Sequence, residues 1–357
     1  MFKRIFSRLI FEVISPKFNL SKTFFYHFHY FINKINFFKN NNIKDEALLI
    51  WDVRSQAISF DVVNFVRHAF NFFYLKNIKE FNVVLFIPKK YKFKPFDWKE
   101  YSSYVNSNEL KERIDNLIIP ILSSYNCIDK ICVINSYKDL VNICKKKITY
   151  PEFYNPYYYF PHGDSCKTYY KLLQQNITPN PYLSSKNDSK VISKIYDKYQ
   201  YITFSLRDYG YSPARNSSSS EIKLVYAFSK IINRKLVLVP DKISELKKYE
   251  IPSDVIICNE ARNNLYERIT LYKKSEINIF MVSGPSELSH FIKGSMNIIL
   301  NWGVPSFDDS IEFQEKEYGL KFNDQPYLNL DGYLIWYKNA GHITVDEIMF
   351  AYNCLRQ

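Results

Sequence analysis

Residues 265–294 read LYERITLYKKSEINIFMVSGPSELSHFIKG, and this stretch decides the fold class. A helical period over Asn264–Lys273 leads into the apolar run Ile277–Val282. The run stops at Ser283-Gly284-Pro285-Ser286, and a second helix is expected over Ser286–Ile292. Glycine after a strand lets the backbone turn sharply. Proline at the first helical position gives up only an N–H that has no intrahelical partner. Ser283 or Ser286 is the expected cap, with Glu287 in the first turn. Helix, buried strand and helix in succession is the parallel α/β pattern. The carboxyl end of such a strand, where a helix presents free N–H groups, is where anionic ligands gather. The turn therefore implies a phosphate ligand such as that of a nucleotide, although a plain strand–helix joint carries the same signature.

Outward from this block the alternation continues. Tyr201–Leu206, Lys235–Val239, Asp254–Cys258 and Asn297–Leu300 read as strands and Ser220–Ile232 as a helix. Val345–Leu355 reads as a last helix, capped by Thr344 with Asp346 and Glu347 in its first turn. Upstream, Ala47–Val53, Asn82–Ile87 and Lys130–Ile134 read as strands. Phe60–Leu75, Glu109–Ser123 and Tyr137–Cys144 read as helices. Residues 145–185 break the rhythm with Pro151, Pro156, Pro161, Pro179 and Pro181, which predicts a loop-rich connection, with a hinge in Ser184–Asp188. At 357 residues two domains are affordable. The expected architecture is α/β: two Rossmann-like domains facing across a cleft, 41–185 and 186–357, after a basic, aromatic extension over 1–40. The last helix is free to pack back.

Composition narrows the function classes. The chain holds 30 Tyr and 29 Phe against 8 Gly, with a net charge of +12. Abundant Lys, Asn and Ile point to an AT-rich coding bias, so the basic balance is weak evidence for a nucleic-acid face. A basic, aromatic-rich nucleic-acid-binding module is nonetheless the main alternative, because aromatics stack on bases while Lys tracks phosphates. Against it, the aromatics fall at core-period positions and no RRM, KH or helix-turn-helix signature occurs, so nucleic acid is not an expected partner. The six cysteines form no CxxC pair and have no His at zinc-ligand spacing. Free thiols, buried at Cys127 and Cys132, fit a reducing cytoplasm. Every glycine lies at 163 or later, so the N-terminal unit has no GxGxxG and no P-loop. The C-terminal unit lacks both motifs too, and any phosphate site must combine a single-glycine joint with side chains. No run of about 20 apolar residues occurs. In residues 1–14, Phe2, Phe6, Leu9 and Val13 lie opposite Lys3, Arg4 and Arg8. This is the pattern of a helix on an anionic membrane surface, or of one packed on the protein itself.

Arginine is scarce, which makes Arg207 and Arg215 informative. Both lie in the loop Arg207-Asp208-Tyr209-Gly210-Tyr211-Ser212-Pro213-Ala214-Arg215-Asn216-Ser217, which follows a strand and should open on the same sheet edge as Gly284. Two guanidinium groups beside a helix start make a diphosphate clamp, since Arg binds phosphate oxygens in a planar, bidentate way. The structural alternative is that Arg207 pairs with Asp208 and pins the loop.

The strand with LRD…ARNSS, followed by the 265–294 block, resembles GT-B glycosyltransferases. More narrowly, it is similar to bacterial surface-polysaccharide glycosyltransferases of that architecture. The resemblance covers residues 200–300 well and the first unit by pattern only. It implies a nucleotide-sugar donor held by the C-terminal domain and a cell-surface glycan or lipid-linked acceptor on the N-terminal one. Arg207, Arg215 and Asn216 match the loop after the first C-terminal strand, Gly284, Pro285 and Ser286 the phosphate-facing turn. Glu287 could bond a ribose hydroxyl or only complement the helix dipole. No clear EX7E pair occurs, which leaves a retaining mechanism without support. Inversion needs a general base near the acceptor hydroxyl. Asp52, ending the first strand, is one candidate and His162, in Pro161-His162-Gly163-Asp164, the other. Glu260 and Arg262 follow a strand where base or ribose contacts occur, whereas Arg268 and His290 read as packed helix residues. No DXD motif is present, so no metal and no cofactor beyond the nucleotide-sugar substrate is expected. A further alternative is a catalytically silent member of the same fold that scaffolds an assembly. The expected place is the cytoplasm, peripherally on the inner face of the membrane.

Overall fold

The structure, a computed structural model, describes residues 46–357 except 55, 57, 90–106, 146, 153, 155–169, 171–172, 174–180, 185–198, 211, 242, 306–309 and 338–342. The helix expected over 1–14, His162, Cys166 and most of the expected hinge lie outside the described residues.

Two parallel sheets are present, as the alternation predicts. The first has the order β3-β2-β1-β4, with β1 (Ala47–Asp52), β2 (Phe81–Phe86), β3 (Ile128–Ile134) and β4 (Ile148–Tyr150). The second has the order β10-β9-β8-β5-β6-β7. Its strands are β5 (Tyr201–Ser205), β6 (Lys235–Val239), β7 (Ile256–Ile257), β8 (Asn278–Met281), β9 (Asn297–Trp302) and β10 (Gly332–Trp336). β4 and β10 were not legible in the sequence. β4 is three residues long and runs straight into Pro151, inside a stretch read as loop.

The helices of the first half are α1 (Asp61–Tyr74), α2 (Ser107–Arg113), α3 (Ile119–Ser124) and α4 (Tyr137–Cys144). A π turn, Ile114–Ile118, joins α2 to α3. In the second half lie α5 (Ser219–Ile231), α6 (Glu260–Asn263), α7 (Leu265–Lys274), α8 (Gly284–Ser289), α9 (Ile311–Phe313) and α10 (Val345–Leu355). α5 and α10 begin with capping boxes, Ser218 with Glu221 and Thr344 with Glu347, so two orphan N–H groups are satisfied at each start.

Two compact units form, and they interleave along the chain. One gathers β1, β2, α4, β4 and most of β3; the other gathers the second sheet together with α1, α2 and α3. In the first unit Leu48, Ile50, Val84, Phe86, Ile134 and Leu140 form the core. Every residue of β1 is buried, as expected of a parallel strand covered on both faces. β3 is the edge strand, and its middle is exposed. Cys132 therefore lies in the open, contrary to the expectation of a buried thiol, whereas Cys127 is buried. Burial pushes the Cys127 thiol up to about 12.

In the second unit Ile202, Phe204, Val225, Phe228, Leu238, Ile279 and Ile298 build a core that α10 completes with Ile348, Ala351 and Tyr352. The last helix is also tied electrostatically: Glu276 accepts from Tyr352 and pairs with Arg234. Asn278 fixes the register of the central strands. Its carbonyl accepts from Thr203 at 2.6 Å, and its amide donates to Ser295 Oγ at 2.9 Å and Tyr272 O at 3.0 Å. A buried amide so fully satisfied penalises any one-residue slip.

Candidate active site

β5 and β8 are neighbours and parallel, with Ser205 opposite Phe280. Their following loops therefore leave the same carboxyl edge side by side. This brings the Arg207–Ser217 loop and the Ser283–Glu287 turn to one edge, where α/β sheets place ligands.

The loop after β5 is closed by its own polar groups. Ser217 N–H donates to Arg207 O at 2.8 Å, and Arg207 N–H donates to Ser217 Oγ at 2.9 Å. Arg207 is buried. Its Nη1 donates to Ser212 O at 2.9 Å and to the Asn216 carbonyl. Asn216 returns an N–H to Tyr209 O at 3.0 Å. Arg207 and Asn216 thus hold the loop's shape. The Asp208 carboxylate pairs with Lys248 at 2.5 Å. Arg215, on the turn Pro213–Arg215, is partly exposed. Asp61, at the start of α1, lies within electrostatic reach of both Arg215 and Glu287, so loop, turn and α1 start share one field.

The turn after β8 begins α8 at Gly284 itself. Ser283 N–H donates to Ser286 Oγ at 3.1 Å, and Ser286 O–H donates to Ser283 O at 2.5 Å. Gly284 does not adopt a positive φ. A Cβ there would lie 2.5 Å from Phe60 Cβ and 2.6 Å from its ring. The glycine is required because α1's start packs directly on the turn, not because the backbone is left-handed. Arg268 places its guanidinium 5.8 Å from the same Phe60 ring and donates Nε–H to Ala261 O at 2.8 Å, a packing role as read from the sequence.

Glu287 does not stand free at the helix start. It accepts from Tyr327 O–H at 3.0 and 3.2 Å and lies 3.6 Å from Arg67 Nη1. Burial raises its proton affinity, and Arg67 and Tyr327 oppose the rise. Tyr170 Oη is 2.9 Å from Tyr327 Oη, and the Arg67 guanidinium lies 5.1 Å from the Tyr170 ring. His290 stacks on Tyr327 at 3.8 Å, and among the described residues neither of its ring nitrogens has a hydrogen-bond partner. Burial, aided by Arg67, pushes its pKa down to about 3, so the imidazole is neutral at physiological pH. Arg67, Tyr170 and Tyr327 were not found from the sequence.

Asp52 ends β1 in the first unit and is 1% exposed. Arg54 clamps it: Nε lies 2.9 Å from Oδ1, Nη2 lies 2.6 Å from Oδ2, and the backbone N–H lies 3.0 Å from Oδ1. Tyr154 O–H donates to Oδ2 at 2.5 Å. The guanidinium lies 5.0 and 5.1 Å from the ring centres of Phe86 and Tyr137. Burial works against the Arg54 charge, but Asp52 outweighs it and holds the guanidinium's pKa above the usual value. Elsewhere, Arg262 Nε–H donates to Asp241 O at 2.8 Å rather than pairing with Glu260, which faces the Cys258 thiol at 3.7 Å. Among the described residues no group of three His, Cys, Asp or Glu side chains is placed to hold a metal ion.

Two parallel sheets, the second with a polar carboxyl edge, define the molecule as parallel α/β. The crystal structure of the glycosyl transferase family 9 from Veillonella parvula DSM 2008 is similar with a TM-score of 0.50. The match has 11% identity and covers 88% of this chain and 97% of that one. E. coli ADP-heptose lps heptosyltransferase II is similar with a TM-score of 0.43 and 10% identity, over 87% of this chain and 98% of that one. E. coli heptosyltransferase WaaC with ADP-2-deoxy-2-fluoro heptose gives 0.44 and 7%, over 85% and 98%. No family model and no curated protein sequence matches the chain. The likeness is one of fold: α/β, of the GT-B-like type.

Proposed function

We propose that the chain is an inverting, metal-independent glycosyltransferase. It would move a sugar from a nucleotide-sugar to a cell-surface polysaccharide or lipid-linked glycan precursor. The observation that carries this reading is the parallel register of β5 and β8, which sets the Arg207–Asn216 loop beside the Gly284-Pro285-Ser286 turn. The fold shared with a family 9 glycosyl transferase supports it. In this reading Arg207 and Asn216 shape the loop, and Arg215, the more exposed arginine, grips the donor diphosphate. Glu287, already engaged by Tyr327 and Arg67, acts as an internal brace rather than a ribose ligand. The acceptor oxygen attacks the anomeric carbon, the carbon–oxygen bond to the diphosphate breaks, and Arg215 stabilises the departing charge. Asp52 receives the acceptor proton, with His162 as the other candidate base.

A thermal-shift panel of ADP, GDP and UDP, each with and without EDTA, tests the donor assignment. A ligand that binds only the folded state stabilises it by about 2.7 kcal/mol at a hundredfold excess over Kd. One diphosphate should raise the melting temperature, and EDTA should not cancel the shift. No shift with any of the three would overturn the donor assignment. The proposed site of action is the cytoplasmic membrane face, through residues 1–14. Deleting them should move the protein from the membrane to the soluble fraction. Among the described residues no helix is long and apolar enough to cross a membrane.

A further inference from the structure

Asp52 presents a difficulty for direct proton abstraction. Its carboxylate is 1% exposed, and both oxygens already accept from the Arg54 fork. A sugar hydroxyl reaching Asp52 itself would have to displace a charge-assisted bond, the strongest kind of hydrogen bond present. One donor in the cluster differs from the rest. Tyr154 is partly exposed, while its O–H lies 2.5 Å from Asp52 Oδ2. Its position follows from topology: β4 runs parallel to β1 with Tyr150 opposite Leu49, so the segment after β4 emerges at the carboxyl edge beside Asp52. Tyr154 N–H donates to Pro151 O at 3.2 Å, which closes a turn that brings the phenol back toward that edge.

Given the glycosyltransferase reading above, we infer that Tyr154 is a catalytic residue that carries the acceptor proton to Asp52. The phenol donates its only proton to Asp52, one lone pair of its oxygen is engaged by Arg54, and the other is left to accept from the acceptor hydroxyl. As that hydroxyl oxygen bonds to the anomeric carbon, its proton passes to the Tyr154 oxygen. The original Tyr154 proton passes to Asp52 Oδ2. The bond to the diphosphate breaks, and the electron pair leaves with the diphosphate. No free phenolate forms, and no redox partner is needed. Arg54 is then a positioning residue: its fork fixes the carboxylate so that one oxygen meets Tyr154.

The experiment measures nucleoside diphosphate release from ADP-, GDP- and UDP-hexoses by the full chain, with water in place of the acceptor hydroxyl. General-base assistance is worth roughly 10²–10⁴-fold. Tyr154→Phe should therefore lower kcat by about a hundredfold at unchanged donor KM. Asp52→Asn should do the same, and the double variant should be no slower than the slower single one, because the two act as a unit. Nucleoside diphosphate affinity should be unchanged in all three. Tyr154→Phe at full turnover beside an inactive Asp52→Asn overturns the relay and leaves Asp52 as the base. Full turnover in both overturns the Asp52 assignment as well. Should Tyr154→Phe fail to fold, 3-fluorotyrosine at position 154 keeps the shape and alters phenol acidity. A changed kcat supports the relay, and an unchanged kcat overturns it.

Discussion

In the first unit Asp52 meets Arg54 through side-chain hydrogen bonds of 2.6–3.2 Å and takes another from Tyr154. In the second unit Glu287 and Arg67 approach only to 3.6 Å, and Arg67 reaches Tyr327 at 3.5 Å. Asp52 is 1% exposed and the Glu287 side chain 17%, and the two pairs answer burial differently. The Asp52–Arg54 pair is held by short, bidentate bonds, which make its geometry rigid. Burial already raises the proton affinity of Glu287, so it can answer the loss of its partner by taking a proton. In the proposed relay the rigid pair fixes the atom to which the proton is delivered. The adaptable one belongs where α1, α8 and the 327 loop meet.

Removing the two arginines should expose this difference most strongly. Arg54→Gln leaves Asp52 buried beside a neutral partner and should destabilise the protein by about 3–5 kcal/mol. Arg67→Met should lose only about 1–3 kcal/mol, the range for an unmet buried polar group. Urea unfolding of both variants checks this, and equal losses would break the comparison.

Gly284→Ala comes next. Its new methyl would collide with Phe60, and overpacking of this kind is worth about 1–3 kcal/mol. In a double-mutant cycle with Phe60→Ala the two losses should be strongly non-additive. Additive losses would place the strain elsewhere.

The smallest effect per step is a pH slope. His290, with a folded pKa of about 3 against an ordinary 6.5, binds its proton less readily folded than unfolded. It contributes stability that is fully present above pH 6.5 and is lost as pH falls toward 3. Glu287, raised on folding, acts with the opposite sign, and His68, also lowered to about 3, adds a parallel slope. His290→Phe keeps a ring against Tyr327 and should flatten the acid-side slope by about 1.4 kcal/mol per pH unit. An unchanged slope would mean that folding does not lower the pKa of His290.

The legible parts of the molecule were those whose cause is local. Continuous apolar runs marked β1, β2, β5, β6 and β8, and the Thr344–Glu347 box marked α10 to the residue. Asp52 and the Arg207–Asn216 loop could be singled out because a strand end and scarce arginines are visible in one dimension. What escaped depends on distance along the chain. Arg67 meets Tyr327 across 260 positions, Tyr170 meets Tyr327 across 157, and Tyr154 reaches Asp52 across 102. No periodicity encodes such partners. Gly284 was marked for a sharp turn after a strand; its contact with Phe60 was not legible, because the packing of α1's start is a tertiary fact. β10 escaped because the residues before it, 304–331, show no alternation to announce a strand.

The central claim is that Arg215 and the Gly284–Ser286 turn grip the diphosphate of a sugar donor. Isothermal titration of the full chain with whichever of ADP, GDP and UDP binds tests it most directly, repeated on Arg215→Lys, Arg215→Ala and Arg207→Ala. Lys keeps the charge but loses the bidentate fork, and a charge-assisted bond is worth about 1.5–3 kcal/mol. The account predicts a Kd raised about tenfold or more in Arg215→Lys and further in Arg215→Ala, with melting temperature unchanged. Wild-type affinity in folded Arg215→Ala and Arg207→Ala would contradict it and move the donor site off this edge of the sheet.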